Sequence, residues 1–202
     1  MTEPPERSLI EAAGPSSWNG TSSTRQGFTI WFTGLPGAGK TTLAWLLAEE
    51  LRQQGLPVHV LDGDELRRSL TKDLGFSRED RLENVRRIAH LAAGITRAAG
   101  IAIVAAIAPY ADARAEARKT IGRFVEVYVR CPLAVCMERD PKGLYARAQR
   151  GELQHLTGLS DPYEEPVCPD VVVDTDRESP TQSVETILLR IAEEFRPYTS
   201  SM

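Results

Sequence analysis

Gly34-Leu35-Pro36-Gly37-Ala38-Gly39-Lys40-Thr41 fits the pattern G-x-x-x-x-G-K-[ST], and its flanks give the pattern physical meaning. Phe28-Thr29-Ile30-Trp31-Phe32 before it is β-branched and aromatic, as a buried strand should be. Thr42 to Leu51 after it has helical spacing. A strand, a glycine turn and a helix in that order make a phosphate cradle. Glycines allow main-chain N–H groups to approach a triphosphate, and the helix N-terminus that follows favours an anion. Lys40 is placed to reach the outer phosphates, and the Thr41 hydroxyl to ligate Mg²⁺. Gly34, Gly37, Ala38, Gly39, Lys40, Thr41 and Thr42 are therefore candidate ATP contacts, with Thr41 as the candidate metal ligand.

The remaining chain bounds what can be built around this loop. At 202 residues it suits one well-buried domain. A net charge of −4 with scattered arginines excludes nucleic acid as the main partner, because phosphate-backbone binding needs clustered cations. No apolar run is long enough to span a bilayer, and the N-terminus lacks the basic-then-apolar pattern of a secretory signal, so no membrane partner is expected and the location read is cytoplasmic. Cys131, Cys136 and Cys168 are odd in number and lack C-x-x-C spacing, and His59, His90 and His155 lack ligand spacing. All six read as structural.

Residues 1–26 are rich in Pro, Ser, Thr and Glu without periodicity, which predicts a mobile leader followed by one domain over 27–202. Gly55 marks the end of the first helix, and Pro57 to Leu61 reads as a second strand ending in Asp62-Gly63-Asp64. A long helix from about Ser77 to Gly100 leads into Ile101 to Ala106, the continuous apolar run of a buried parallel strand. Helix from Ala111 to Ile121, strand from Arg123 to Arg130, helix from Leu133 to Arg139, strand from Asp170 to Asp174 and helix from Thr181 to Phe195 follow. Alternating elements predict an α/β fold, a five-stranded parallel sheet flanked by helices in three layers. Residues 140–169, dominated by turn residues and charges, read as a lid with substrate loops. Ligands in such sheets sit at the carboxyl ends of the strands, which brings the phosphate loop, Asp62-Gly63-Asp64 and Ile107-Ala108-Pro109 onto one rim.

The carboxylates narrow the chemistry. Asp62 and Asp64 beside a triphosphate allow one acid to help organise Mg²⁺ and the other to accept or orient an attacking hydroxyl. The alternative is a turn with a helix-capping Asp64. Downstream, Arg67, Phe76, Arg81 and Asn84 offer two cations, an aromatic face and an amide, which suits an anionic nucleotide acceptor as well as it suits a solvated helix with one core Phe.

From Gly27 to Phe195 the chain resembles the adenylylsulfate kinase family of phosphate-loop nucleotide kinases. The resemblance is carried by Trp31-Phe32-Thr33-Gly34-Leu35, Leu61-Asp62-Gly63-Asp64, the run from Asp73 to Arg81, Glu83-Asn84-Val85-Arg86-Arg87, Glu126-Val127-Tyr128-Val129, Arg139 to Tyr145, Thr157-Gly158 and Pro162-Tyr163-Glu164. It implies transfer of the γ-phosphate of ATP to the ribose 3′-hydroxyl of adenylyl sulfate, often by a homodimer. It implies Lys40 and Thr41 on ATP and Mg²⁺, Asp64 on the acceptor hydroxyl, and Arg139 near the ATP base. Asp62, Arg67, Arg81 and Asn84 would line the acceptor side, Phe76 would stack on its adenine, Ile107 would add main-chain and apolar contacts, and Lys142 would close over the site.

Departures from the family pattern fall on the acceptor side. Glu65 stands where Asn is usual, Ala106-Ile107-Ala108-Pro109 replaces Phe-Ile-Ser-Pro, Ala111 replaces an Arg although Arg114 remains, and Leu156 replaces the second aromatic face for adenine, where it is expected to pack against the base without the aromatic stacking increment of about 1 kcal/mol. Ala108 has no hydroxyl, so transfer must be direct. A kinase for the 3′-hydroxyl of another nucleotide anhydride, a nucleoside monophosphate kinase and a non-catalytic ATP-binding module remain as other readings.

Overall fold

The computed structural model describes residues 26–195. The expected leader lies outside the described residues, apart from Gln26. Five strands, β1 (Phe28–Thr33), β2 (Val58–Asp62), β3 (Ile101–Ala105), β4 (Phe124–Arg130) and β5 (Val171–Asp174), form one parallel sheet in the order β2-β3-β1-β4-β5. Seven helices connect them among the described residues: α1 (Lys40–Gln53), α2 (Gly63–Arg68), α3 (Arg78–Arg97), α4 (Ala111–Ile121), α5 (Leu133–Arg139), α6 (Leu144–Gln149) and α7 (Pro180–Glu194). The alternation read from the sequence is therefore present, with shifted ends. Helix α1 begins at Lys40 rather than Thr42, and α3 stops at Arg97, before Gly100. The 140–169 segment contains the one-and-a-half-turn helix α6.

Strand alternation sorts the sheet's side chains into two cores. Ile30, Phe32, Ile103, Val125 and Val127 pack with Leu43, Leu47 and Leu51 of α1 and Ile187 and Ile191 of α7. On the other face Trp31, Ala102, Val104 and Phe124 pack with Val85, Ile88 and Ala92 of α3 and Ala113 and Ala117 of α4. Each large aliphatic side chain removed from water stabilises the fold by about 1.5–3 kcal/mol. Both faces are covered, and this explains why β1 and β3 read as unbroken apolar runs.

Local signals fix the helix starts. Ser77 caps α3 by accepting from the Asp80 N–H, with Glu79 and Asp80 in the first turn where the helix dipole favours acids. Ser179 and Gln182 form a reciprocal capping box at α7, with Pro180 at its first position. Strand β1 pairs in parallel with β3 on one side and β4 on the other, so the direction in which strands are added to the sheet reverses across it. The turn that leaves β1 sits at this switch point, where parallel sheets bind ligands.

Candidate active site

The phosphate loop leaves β1 and enters α1 without a side-chain cap or an acidic first turn, so the helix N-terminus is open to an anion. Gly34 is required by the protein itself: a Cβ there would lie 2.5 Å from the Val129 carbonyl oxygen, at φ +151°. Lys40 is only 8% exposed, and its ammonium folds back to donate to the Gly34 and Leu35 carbonyls at 2.9 and 2.8 Å. Burial pushes its pKa down to about 8, against partial compensation from nearby acids. The back of the loop is braced by residues that sequence reasoning passed over. Thr175 donates to the Ala38 carbonyl at 2.8 Å, and the buried Tyr145 hydroxyl of α6 donates to the Pro36 carbonyl at 3.0 Å. Arg139 holds Thr175 through its hydroxyl and carbonyl, at 3.1 and 2.5 Å, which sets its guanidinium beside the loop.

The two acids after β2 are divided between tasks, and the alternative of Asp64 as a helix cap is corrected. Asp62 is the cap of α2, its Oδ1 accepting from the Asp64 and Glu65 N–H groups at 2.9 and 3.3 Å. Its Oδ2 accepts the Thr41 hydroxyl at 2.8 Å, so Asp62 faces the donor side rather than the acceptor side to which sequence reasoning assigned it. A hydroxyl and a carboxylate oxygen side by side fit Mg²⁺, a hard ion that takes one or two protein oxygens and completes its shell with phosphates and water. Asp64 is left free of capping and is exposed. Its Oδ2 forms an ion pair with Lys142 of the 140–169 segment.

Acceptor candidates gather around Phe76, which is half exposed. Arg67 lies 4.7 Å and Arg81 5.7 Å from the Phe76 ring centre. Arg67 uses Nη1 to hold the Leu74 and Gly75 carbonyls at 3.1 and 2.8 Å. Burial, and then the neighbouring Arg81 charge, lower its pKa. Asn84 keeps a buried Oδ1 that has no hydrogen-bond partner among the described residues, which fits a ligand site.

Acceptor-side expectations change at Arg81 and Leu156. Arg81 is 7% exposed and is engaged by the protein: it donates to the Phe76 carbonyl, the Thr157 hydroxyl, the His155 carbonyl and the Asp161 carboxylate. A guanidinium has five N–H groups, so one remains for an acceptor anion. Ile107 has its carbonyl occupied by the Thr33 hydroxyl at 2.6 Å, leaving its N–H and side chain for main-chain and apolar contact. Leu156 is 6% exposed and packs in the α1 and α7 core instead of presenting a face to a base. Arg114 does not replace the Arg missing at 111 either. It is buried, donating to Glu126 at 2.8 Å and to the Ala108 and Glu164 carbonyls at 2.8 and 2.7 Å. It thereby holds the Ala108 turn, at φ +43°, against the 164 segment.

Among the described residues no group of three or more His, Cys, Asp or Glu side chains is arranged to hold a metal, and no helix is long and apolar enough to cross a membrane. Cys131 and Cys136 are buried and Cys168 is exposed, all as free thiols. Burial pushes the Cys136 thiol up to about 12.

The sequence profile described as adenylylsulphate kinase matches residues 26–174, most of the chain and every residue of the site just described except Thr175. The chain belongs to the adenylylsulphate kinase family. An adenylyl-sulfate kinase of Synechococcus sp. (strain JA-2-3B'a(2-13)) is 53% identical over 165 residues, covering 82% of this chain and 94% of that protein. The solved structure of the Mycobacterium tuberculosis APS kinase CysC in complex with AMPPNP and APS is 46% identical, covers 81% of this chain and 98% of its own, and superposes with a TM-score of 0.77. A hexameric APS kinase from Thiobacillus denitrificans is 40% identical over 84% of this chain and 29% of its own, with a TM-score of 0.65. A Sinorhizobium meliloti gluconokinase at 20% identity and a TM-score of 0.57 shares the fold alone.

Proposed function

We propose that this chain transfers the γ-phosphate of ATP to the ribose 3′-hydroxyl of adenylyl sulfate, giving 3′-phosphoadenylyl sulfate and ADP. The observation that carries this reading is the uncapped carboxylate of Asp64, held at the rim between the phosphate loop and the Phe76, Arg67 and Asn84 cluster. A donor and an acceptor site meet at one carboxylate, which Lys142 covers in this structure. The Mycobacterium tuberculosis family member crystallised with AMPPNP and APS supports the same pair of substrates.

In this reading the main-chain N–H groups of residues 37–42 grip the ATP phosphates, and Lys40 exchanges the Gly34 and Leu35 carbonyls for phosphate oxygens. Thr41 and Asp62 would hold Mg²⁺, which when bound offsets the charge that develops on the phosphate oxygens. Asp64 takes the proton of the 3′-hydroxyl, the hydroxyl oxygen bonds to the γ-phosphorus, and the bond from that phosphorus to the β-γ bridging oxygen breaks. Lys142 then leaves Asp64 to neutralise the transferring group. Phe76 and Arg67 hold the acceptor's base and anhydride, with Asn84 and the remaining N–H of Arg81. Arg139 lies toward the ATP base. Ala108 has no hydroxyl to phosphorylate, so the transfer is direct. The protein acts through position and charge, the main sources of catalysis in phosphoryl transfer.

A second reading, a different nucleotide anhydride as acceptor, is favoured by one observation: Leu156 is buried in the core, so Phe76 is left as a single aromatic face for the base. One experiment separates the two. Purified protein with ATP and Mg²⁺ is offered adenylyl sulfate and other nucleotide anhydrides, and 3′-phosphorylated product is quantified. Adenylyl sulfate should give the highest kcat/KM; a higher value for another anhydride, or no product from any, overturns the first reading. A homodimer and a cytoplasmic location belong to the same proposal, and sedimentation of the full chain tests the first of them.

A further inference from the structure

The turn between Leu153 and Pro162 lies between the two substrate sites and touches both. On the donor side, Gly158 packs so closely that a Cβ would meet the Leu35 side chain at 2.5 Å, and its φ of +87° disfavours any other residue. On the acceptor side, the turn is held by Arg81, which reaches it from α3. Arg81 Nη2 bonds the Asp161 carboxylate at 2.7 Å and the His155 carbonyl at 2.6 Å, and Nη1 bonds the Thr157 hydroxyl at 2.8 Å. Its Nε bonds the Phe76 carbonyl at 3.0 Å, so the same guanidinium sets the aromatic platform.

Asp161 is the anion in this assembly. Its side chain is largely buried, with Oδ2 on Arg81 and Oδ1 3.3 Å from His155 Nδ1. Its main chain closes the turn, donating to the Leu156 carbonyl at 3.1 Å and accepting from the Gly158 N–H at 2.8 Å. Without its charge, the buried Arg81 would keep only neutral acceptors among the described residues: the Phe76 and His155 carbonyls and the Thr157 hydroxyl. A hydrogen bond to an ionised partner is about twice as strong as one between neutral groups, so the Asp161 carboxylate is the strongest of the four restraints on this guanidinium.

We propose that Asp161 is a positioning residue for the acceptor half of the site: through Arg81 it fixes the Phe76 platform. It touches neither substrate. The proposal rests on the reading of Phe76, Arg67 and Asn84 as the acceptor site, and it predicts a defect confined to that half.

The test compares wild type with Asp161→Asn, which keeps the shape and removes the charge, and with His155→Asn, which removes only the outer contact and tolerates the left-handed backbone at φ +62°. Steady-state KM for adenylyl sulfate and for ATP, ATP affinity by calorimetry and the thermal midpoint are measured for all three. For Asp161→Asn the expected result is an acceptor KM raised about tenfold to a hundredfold, the range of a lost hydrogen bond to a charged group, with ATP affinity within about twofold of wild type. His155→Asn should match wild type on every readout. Equal loss of ATP and acceptor affinity, which a merely structural role gives, overturns the proposal, as does an unchanged acceptor KM. Absence of turnover by the wild-type chain overturns the reading of the acceptor site, and this proposal with it.

Discussion

The donor and acceptor halves of the site are built from different materials. The donor half centres on one continuous segment, 34–42, whose working groups are main-chain N–H donors and the adjacent Lys40 and Thr41 side chains, with Asp62 and Arg139 brought in beside it. The acceptor half is assembled from side chains on α2, α3, the turn after β3 and the 140–169 segment. A main-chain cradle can accept no substitution at Gly34 without meeting Val129, whereas side-chain sites tolerate changes one residue at a time. The substitutions at 65, 106, 108 and 111 fall in or beside the second kind of structure.

The largest expected effect breaks the donor half alone. Lys40→Ala removes the one ammonium buried in the cradle and should lower kcat by about 10³-fold, the upper range for loss of a preorganised charge stabiliser, with folding retained because the loop carbonyls it holds can turn to water. Stopped assays of product formation alongside a thermal midpoint check both parts. Asp64→Asn tests the junction between the halves. It should lower kcat by about 10²-fold or more while leaving the KM values of both substrates within about threefold, since an amide keeps the shape and loses the base. Near-normal turnover would remove Asp64 from the chemistry.

A pH series sharpens the donor side further. Lys40 titrates near 8 in the folded chain against 10.5 for an ordinary lysine. Above that pH the cradle loses its cation, so ATP affinity should fall roughly five- to tenfold per pH unit, and binding should take up a proton, measurable by calorimetry in buffers of different ionisation heat. Folding stability has the opposite sign. Because the unfolded chain binds more protons between about 8 and 10.5, Lys40 makes stability rise with pH across that window. Affinity falling while the thermal midpoint rises would distinguish this lysine from general alkaline damage.

How much was legible in the sequence follows the same division. Glycine spacing announces a main-chain cradle because only a glycine backbone can follow that path, and unbroken apolar runs announce strands covered on both faces. Which partner a side chain chooses is not written in its neighbours. Nothing near Arg81 in sequence shows that Asp161, eighty residues later, occupies its fork, nor that Glu126 and the 108 and 164 carbonyls engage Arg114. Asp62 and Asp64 look equivalent in sequence, and only the start of α2 makes one a cap and leaves the other free. Thr175 and Tyr145, which brace the phosphate loop, lie far along the chain, and a lone Thr or Tyr carries no local signal of such a contact.

The smallest expected effect tests whether position 156 belongs to the acceptor half at all. From the sequence, Phe at 156 would restore the second face for adenine and tighten adenylyl sulfate by an aromatic increment of about 1 kcal/mol, roughly fivefold in KM. The structure places Leu156 in the core, where a ring is larger than the side chain it replaces. Overpacking of that kind costs about 1–3 kcal/mol. Leu156→Phe should therefore lower the thermal midpoint, and any fall in acceptor KM should stay below about fivefold, because the ring must leave the core to reach a base. A lower midpoint with unchanged acceptor KM assigns 156 to the core; a fivefold or greater fall in KM at an unchanged midpoint returns it to the site, and with it the adenine sandwich that the structure now denies.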